Sequence, residues 1–301
     1  MSPGFKLKSK PKLACEIAAD RVLAARSSDR GAVVEMCAAS ELAPGSVVPD
    51  LTETNLRERK GVVEAVKQIL SDVGGRSRDV IAVLPDAAVR VMLLDFEALP
   101  AKQDEAEGVI RFRLKKSLPF DVDKSMVSYH AQPPINGEKG VKVIAAVALS
   151  TVVEDYESIF RDAGYTPGVV MPSMLAALGA ADAERPTLVV KVDARTTSIA
   201  ILDKHQVLLF RTLENSRGVT ISGDQLAEEI YPSIVFFQDT YTLSIAQILV
   251  AGLSDSGGAI PALRTATDVE VKELVGPSQL GGTIGSIPRW RMAGVVGALV
   301  S

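Results

Sequence analysis

The sequence is poor in the residues from which catalytic and metal sites are most often built. It contains two histidines, His130 and His205, and two cysteines, Cys15 and Cys37. A zinc site would need both pairs to converge from distant segments, and a Ser–His–Asp triad could draw on these two histidines alone. We therefore interpret all four as structural residues, and we assign no catalytic residue and no metal ligand.

Neither the charge balance nor the aromatic content suits a nucleic-acid partner. The chain has 33 Lys and Arg against 37 Asp and Glu, a formal net charge of -4. Binding along a phosphate backbone usually demands a basic excess. Aromatic residues make up 5% of the chain, too few for rows of bases stacked on rings. The composition therefore excludes general nucleic-acid binding as an expected function.

Disulfides, a signal peptide and membrane spans are also not expected. Two cysteines do not make a disulfide framework and suit a reducing compartment. The basic start MSPGFKLKSKPK is not followed by the apolar stretch of a signal peptide. The longest apolar run, Ala293 to Val300, is far shorter than the ~20 residues that span a bilayer. We expect a cytoplasmic protein with a solvated basic terminus, contact with an anionic membrane surface being the alternative.

Two distant stretches of the chain share one pattern of short strands. LACEIAADRVLAA (Leu13 to Ala25) and LVVKVDARTTSIAIL (Leu188 to Leu202) each predict two strands around a polar turn. A third strand and then an amphipathic helix follow each pair, the helices being predicted at Asn55 to Val73 and Gly223 to Tyr241. The pattern predicts an internal duplication of a strand-strand-strand-helix unit.

The residues between the two repeats predict an inserted unit. Their order is strand, helix, strand, strand, helix, and Pro119 ends the first helix, predicted from Lys102 to Leu118. We therefore predict an α+β insertion at 89–167. The first domain would comprise residues 12–88, completed by 168–185 and 286–301, and the second domain residues 186–285.

The duplicated order resembles the actin-like ATPase fold, an α/β architecture with a ribonuclease H-like duplicated core. Four segments are also similar to the type IV pilus assembly protein PilM family, itself close to the division protein FtsA. They are DFEALP (Asp95 to Pro100), LKKSLPFDVD (Leu114 to Asp123), LLFRTLENSRGVTISGDQLAEEI (Leu208 to Ile230) and ILVAGLSDSGG (Ile248 to Gly258). The resemblance implies an actin-like core in which two facing turns hold nucleotide phosphates and a metal.

The phosphate loops of this sequence depart from the family pattern. The first family loop reads approximately Asp-Ile-Gly-Ser-Ser, and here it becomes Glu16-Ile-Ala-Ala-Asp20. The second is approximately Asp-Ile-Gly-Ala followed by threonines, and here it reads Lys191-Val-Asp193-Ala-Arg-Thr196-Thr197. A shift of two residues would put Asp193 in the place of the acid, but the loop would still have no glycine. Side chains in place of glycine hold a phosphate away, and the aspartates repel it.

The resemblance therefore supplies candidate nucleotide-binding residues without a complete motif. The candidates are Glu16, Asp20, Asp193, Thr196, Thr197, Gly252, Gly257 and Gly258. The favoured interpretation is that the acids cap polar hairpin turns and that the glycines form an ordinary turn. We expect no cofactor and no ATP hydrolysis, and ATP with magnesium is the alternative.

The resemblance implies a scaffold or adaptor of type IV pilus assembly. Its partner would be the short cytoplasmic N-terminal tail of a PilN-like inner-membrane protein, bound between the first domain and the insertion. Other pilus proteins and further copies of the chain are additional candidate partners. The candidate groove residues are Arg111, Lys115, Leu118, Pro119 and Phe120; packing within the insertion is their other interpretation. The alternative functions are an active actin-like ATPase and the cytoplasmic part of a type II secretion platform.

Overall fold

The computed structural model describes residues 10–28, 33–134, 140–254 and 256–301. Residues 1–9 of the basic start and the predicted turns at 29–31 and 136–139 lie outside these residues. The strands, in chain order, are β1 (Leu13–Ile17), β2 (Arg21–Ser27), β3 (Val34–Glu41), β4 (Asp79–Leu84), β5 (Arg90–Phe96), β6 (Ser125–Ala131), β7 (Val141–Leu149), β8 (Thr166–Pro172), β9 (Thr187–Val192), β10 (Thr196–Asp203), β11 (Gln206–Glu214), β12 (Gln247–Ala251), β13 (Glu270–Glu273) and β14 (Leu280–Thr283). The α-helices are α1 (Arg59–Val73), α2 (Gln103–Leu114), α3 (Ser150–Asp162), α4 (Ser173–Leu178), α5 (Gly223–Tyr241), α6 (Ser256–Thr267) and α7 (Ala293–Val300).

The first sheet is built around strand β1. Its order is β14-β3-β2-β1-β4-β8, with β2 antiparallel and β4 parallel to β1. Every residue of β1 is buried, because helices cover both faces of the sheet: α1 and α3 lie on one side and α4 and α7 on the other. Burial on both faces explains why the strand is a continuous apolar run rather than an alternating one.

The second sheet repeats the topology of the first. Its order is β11-β10-β9-β12-β13, in which β10 is antiparallel and β12 parallel to β9. Strands β9, β10, β11 and β12 therefore correspond to β1, β2, β3 and β4, and α5 packs on this sheet as α1 packs on the first. The duplicated actin-like core predicted from the sequence is confirmed.

A third sheet, of order β5-β7-β6, carries helix α2 on one face. Ile110 and Leu114 of the helix pack there against Val143 and Val147 of β7. Helix α3 falls within the predicted insertion but packs in the core of the first sheet, where Tyr156 and Phe160 are fully buried. Strand β14 falls within the predicted second domain but pairs with β3 of the first sheet.

Two predicted helices are shorter in the structure. The helix predicted to reach Leu118 ends at Leu114, and a tight turn follows in which the Ser117 N–H bonds the Leu114 carbonyl at 2.9 Å. Leu118 precedes a proline, a position that disfavours helical backbone. Helix α1, predicted from Asn55 to Val73, begins at Arg59. Strands β8, β13 and β14 were not predicted.

Helices α4 and α7 approach closely at glycines. A Cβ on Gly297 of α7 would overlap the Ala176 carbonyl oxygen of α4, and one on Gly179 would overlap the Gly297 carbonyl oxygen. We expect Gly297→Ala to lower the free energy of unfolding by about 2–3 kcal/mol through overpacking. Gly108→Ala is the control: Gly108 lies in α2 with no atom near its missing Cβ, and alanine there should add about 0.5–1 kcal/mol. Urea denaturation measures both, and equal effects would contradict this account of the helix contact.

Candidate functional site

Two hairpin turns face each other across a cleft between the first and second sheets. In the β1–β2 turn the Ala18 N–H bonds the Arg21 carbonyl at 2.9 Å, and in the β9–β10 turn the Asp193 N–H bonds the Thr196 carbonyl at 2.8 Å. The turns enclose a cavity of about 20 Å³, whose lining includes Glu16, Asp20, Asp86, Asp193 and Thr196. The structure therefore brings together four of the predicted nucleotide-site residues and adds Asp86.

The buried side chain of Lys191 lies among three of the carboxylates that line this cavity. Its Nζ is ion-paired with Asp193 and lies 3.5 Å from Asp86 Oδ2 and 4.0 Å from Glu16 Oε1. Burial disfavours the ammonium, but Asp193, Asp86 and Glu16 outweigh it and raise the pKa of Lys191. Lys191 is therefore a fixed positive charge at any physiological pH.

Asp86 lies immediately after the buried parallel strand β4 and was not predicted as a site residue. Its Oδ1 accepts a hydrogen bond from the Met174 N–H at 2.7 Å, and its Oδ2 accepts one from Ser198 Oγ at 3.2 Å. Burial raises the pKa of Asp86 to about 6, although the Lys191 ammonium opposes the shift. The two partners therefore respond differently to burial. Lys191 faces three carboxylates and keeps its charge, whereas Asp86 faces one ammonium and two further carboxylates, Asp193 and Glu16, and has a raised pKa.

The raised pKa of Asp86 predicts a pH-dependent stability. The folded-state pKa is near 6 and the unfolded one near 3.9, so between these values the folded state binds the additional proton. The stability of the wild type relative to Asp86→Asn should therefore fall as the pH rises from about 4 to above 6, by about 3 kcal/mol in total. Urea denaturation of both proteins at several pH values measures this difference. Parallel pH profiles would show that Asp86 does not titrate in this range.

Glu16 and Arg21 complete the charge cluster on the side of the first sheet. Ser173 Oγ donates to Glu16 Oε1, whereas the buried Glu16 Oε2 has no hydrogen-bond partner in the described residues. A Cβ on Gly294 of α7 would lie 2.9 Å from Glu16 Oε1. Arg21 bonds Asp20 Oδ1 at 2.8 Å; burial opposes its charge, but Glu16, Asp20 and Asp193 leave its pKa raised.

These residues do not fit a magnesium–polyphosphate group. Lys191 holds the space among the carboxylates that a cation would take, and a cavity of about 20 Å³ admits about one water molecule. The side chains of Ala18 and Asp193 line that cavity, where the resemblance implies glycine and phosphate. Thr197 is fully buried, and its Oγ1 has no partner in the described residues.

The three candidate glycines, Gly252, Gly257 and Gly258, have surroundings that differ from those of the cleft residues. Gly252 has φ +82°, its N–H bonds the Trp290 carbonyl at 2.9 Å, and a Cβ would overlap the Val192 carbonyl oxygen. The position requires glycine for close packing of the two chain segments. Gly257 and Gly258 lie in the first turn of α6. None of the three lines the cavities described here.

A second cavity, of about 800 Å³, opens beside the charge cluster. Five chain segments line it, at 49–52, 86–90, 119, 194–196 and 212–216. They belong to the first domain, the insertion and the second domain. This cavity is large enough for a peptide or an organic ligand.

Of the predicted partner-binding residues, the structure brings Pro119 to this cavity. Leu118 and Phe120 pack against the core of the insertion. Arg111 pairs with Glu107 at 2.8 Å and donates to the Val122 carbonyl at 2.9 Å. The Lys115 Nζ lies on the surface, 4.0 Å from Asp123 Oδ2. Four of the five therefore lie where packing and ion pairing within the insertion account for them.

None of the histidines and cysteines lines either cavity. His205 is in the β10–β11 turn with its Nε2 2.9 Å from Glu184 Oε1. Cys15 is fully buried in β1, and burial raises its pKa. The described residues contain no group of three or more His, Cys, Asp or Glu side chains arranged to hold a metal ion. No helix among them is long and apolar enough to cross a membrane.

The duplicated sheets and the two facing hairpin turns define a protein of the actin-like fold class. Residues 16–236 match the family model described as "Type IV pilus assembly protein PilM", so the chain belongs to this family. The structure of the chain is similar to the solved "PilM-PilN type IV pilus biogenesis complex". The TM-score is 0.78 and the identity 19%, and the alignment covers 96% of this chain and 98% of the other.

A more distant solved structure shares the fold. The ethanolamine utilization protein EutJ from Carboxydothermus hydrogenoformans aligns with a TM-score of 0.54 and 11% identity, covering 98% of this chain and 90% of that one. At such low identities the structural similarity shows the fold only. The ligands and partners of this chain have to be inferred from its own residues. A comparison with curated protein sequences found no match.

Proposed function

We propose that this chain is an adaptor of type IV pilus assembly that binds the cytoplasmic tail of a PilN-like inner-membrane protein in the 800 Å³ cavity. The observation that carries the proposal is the cavity itself, which lies where the first domain, the insertion and the second domain meet. Family membership and the similarity to a PilM–PilN complex support the choice of partner. Binding of such a tail would hold the chain at the cytoplasmic face of the inner membrane.

The strands that border the cavity suit an extended peptide. In the described residues β11 and β5 are the outer strands of their sheets, and both contribute to the lining, through residues 212–214 and Arg90. Outer strands present backbone N–H and C=O groups that a peptide can pair with. At the start of β11 this edge is already used, because the Val207 N–H and C=O bond the side-chain amide of Gln132. The other end of the same edge reaches the cavity.

The side chains of the lining supply pockets of mixed character. Apolar surface comes from Pro49, Leu51, Val89, Pro119 and Leu213, and polar groups come from threonines, Asn215 and Ser216. Charged side chains of both signs also line the cavity: Asp50, Asp86, Arg90, Arg195 and Glu214. In peptide grooves of this kind, backbone pairing provides affinity and alternate side-chain pockets provide specificity. The lining thus suits an extended tail that carries both apolar and charged side chains.

A synthetic tail peptide of the PilN-like partner tests the proposal by fluorescence anisotropy. We expect Leu51→Glu to weaken binding by about tenfold or more, because it puts a charge into the apolar lining. Phe112→Glu is the matched control: Phe112 is 71% exposed on α2 and does not line the cavity, so affinity should be unchanged. Failure of the folded wild type to bind the tail, or equal losses in both variants, would overturn the proposal.

A further inference from the structure

Carboxylates from both halves of the molecule converge on one point of the cleft. Glu16 lies in β1 of the first sheet and Asp86 in the short 3-10 turn that follows β4, whereas Asp193 lies in the turn after β9 of the second sheet. Clustered carboxylate oxygens are the ligands that hard divalent cations prefer. Here the group at the centre of the cluster is the ammonium of Lys191, within 4.0 Å of all three carboxylates.

We propose that Lys191 is a built-in cation that takes the place of a divalent metal in the cleft, so that this chain joins its two domains without metal or nucleotide. The inference does not rest on the proposed tail binding: it concerns the small cavity, and it stands or falls with the chemistry of Lys191. The proposal gives Lys191 a structural role. In the sequence alone, this lysine is visible only as a departure from the family pattern.

The connections of Lys191 span the two domains. The side chain leaves β9 of the second sheet and reaches Glu16 and Asp86 of the first. Ser198 of β10 adds a second link, since its hydroxyl donates to the same Asp86 oxygen at 3.2 Å. A lysine ammonium is a compact point charge with three donors, and it can therefore bridge carboxylates from both sheets as a small cation would.

Charge and space both disfavour a metal in addition to Lys191. A divalent ion among these carboxylates would lie next to a permanent positive charge, and Arg21 provides another on the side of Asp20. Magnesium retains several waters in an octahedral shell, for which a cavity of about 20 Å³ has no room. Gly294 of α7 packs directly against Glu16 and closes the cluster from the other side.

Removal of the ammonium should create a metal site. In Lys191→Ala the three carboxyl groups remain, the space of the lysine side chain is free, and the ammonium that repels a second cation is gone. We expect Mn²⁺ to raise the Tm of this variant by about 3 °C or more, and the response should disappear when Asp86→Asn is added. Lys142→Ala is the control, since Lys142 pairs with Asp95 at the surface; it and the wild type should not respond.

Direct binding measurements on the wild type provide a second test of the proposal. We expect no Mn²⁺ binding by electron paramagnetic resonance and no heat of binding with Mg·ATP by calorimetry, at millimolar ligand. The Lys191 ammonium should give a slowly exchanging side-chain ¹⁵N signal. Micromolar binding of Mn²⁺ or Mg·ATP that is lost in Asp86→Asn would overturn the proposal, as would a folded Lys191→Ala variant that ignores Mn²⁺. If Lys191→Ala does not fold, the wild-type measurements decide the matter.

Discussion

Replacement of Gly252 by alanine should lower the free energy of unfolding by about 3–5 kcal/mol. Three costs combine. At φ +82° a residue with a Cβ loses about 1–2 kcal/mol relative to glycine. A Cβ would overlap the Val192 carbonyl oxygen, so the strands β12 and β9 must separate locally, which costs about 1–3 kcal/mol. The hydrogen bond from Gly252 to the Trp290 carbonyl would weaken as well, by about 1 kcal/mol.

Gly45 provides a matched control for Gly252. It has nearly the same φ, +81°, but no atom lies within 4 Å of its missing Cβ. Gly45→Ala should therefore cost only the backbone penalty of about 1–2 kcal/mol. Urea denaturation of the two variants separates strain from overlap. Equal effects would refute the packing role of Gly252, and an unchanged stability in Gly252→Ala would instead favour a glycine kept for ligand contact.

Lys191→Met should destabilise the protein by about 3–5 kcal/mol, because it leaves Glu16, Asp86 and Asp193 without their common counter-charge in a buried site. The long apolar side chain of methionine keeps much of the packing, so that the loss reports mainly the charge. Lys142→Met is the control: Lys142 and Asp95 form a surface pair at 2.8 Å, and its loss should cost about 1 kcal/mol or less.

A double-mutant cycle separates charge from packing at Lys191. If uncompensated carboxylates cause the loss, then Asp86→Asn should restore part of the stability of Lys191→Met. The coupling between the two sites should be about 1–3 kcal/mol. Additive effects would show that Lys191 acts through packing alone. Chemical denaturation at pH 7 measures all four members of the cycle.

Local sequence signals were sufficient to predict an element whose start and end are set by residues within it or next to it. Helix α5 is found at its predicted limits, Gly223–Tyr241. Its start is set by a capping box in which Ser222 and Gln225 bond each other's backbone. This interaction joins residues three positions apart and does not depend on the fold. Strand β1, whose five residues are all buried, likewise begins at Leu13, where the first predicted pair of strands begins.

Elements that depend on neighbours were missed. Strand β13 is a four-residue segment, EVKE, with a single fully buried apolar residue, Val271, and β14 is LGGT. Neither has the apolar run or the alternation that marks a strand. They are strands because β12 and β3 offer them backbone partners. Helix α3 is likewise placed in the first core by tertiary packing.

In the candidate site, too, the local features were predicted and the tertiary contacts were not. Hairpin turns after β1 and β9 were predicted, and with them the positions of Glu16, Asp20, Asp193 and Thr196. The lysine at 191 was visible as a substitution, but its three carboxylate contacts were not. Asp86 could have been found from its place directly after a buried parallel strand, where side chains gather at the sheet edge. The predicted groove residues formed one stretch of chain, whereas the large cavity takes its walls from five.

The order of hydrophobic and polar residues was enough to predict the duplicated α/β core and to show the lack of the phosphate-loop glycines, because strand and helix periodicities and loop chemistry are local properties. The tertiary structure alone decided which charges meet. Lys191 reaches carboxylates that precede it by more than a hundred residues. These carboxylates keep the lysine charged in spite of its burial, whereas burial raises the pKa of Asp86 to about 6. Electrostatic energies of this size arise only where water is excluded, and that exclusion is a property of the packed sheets and not of any one segment.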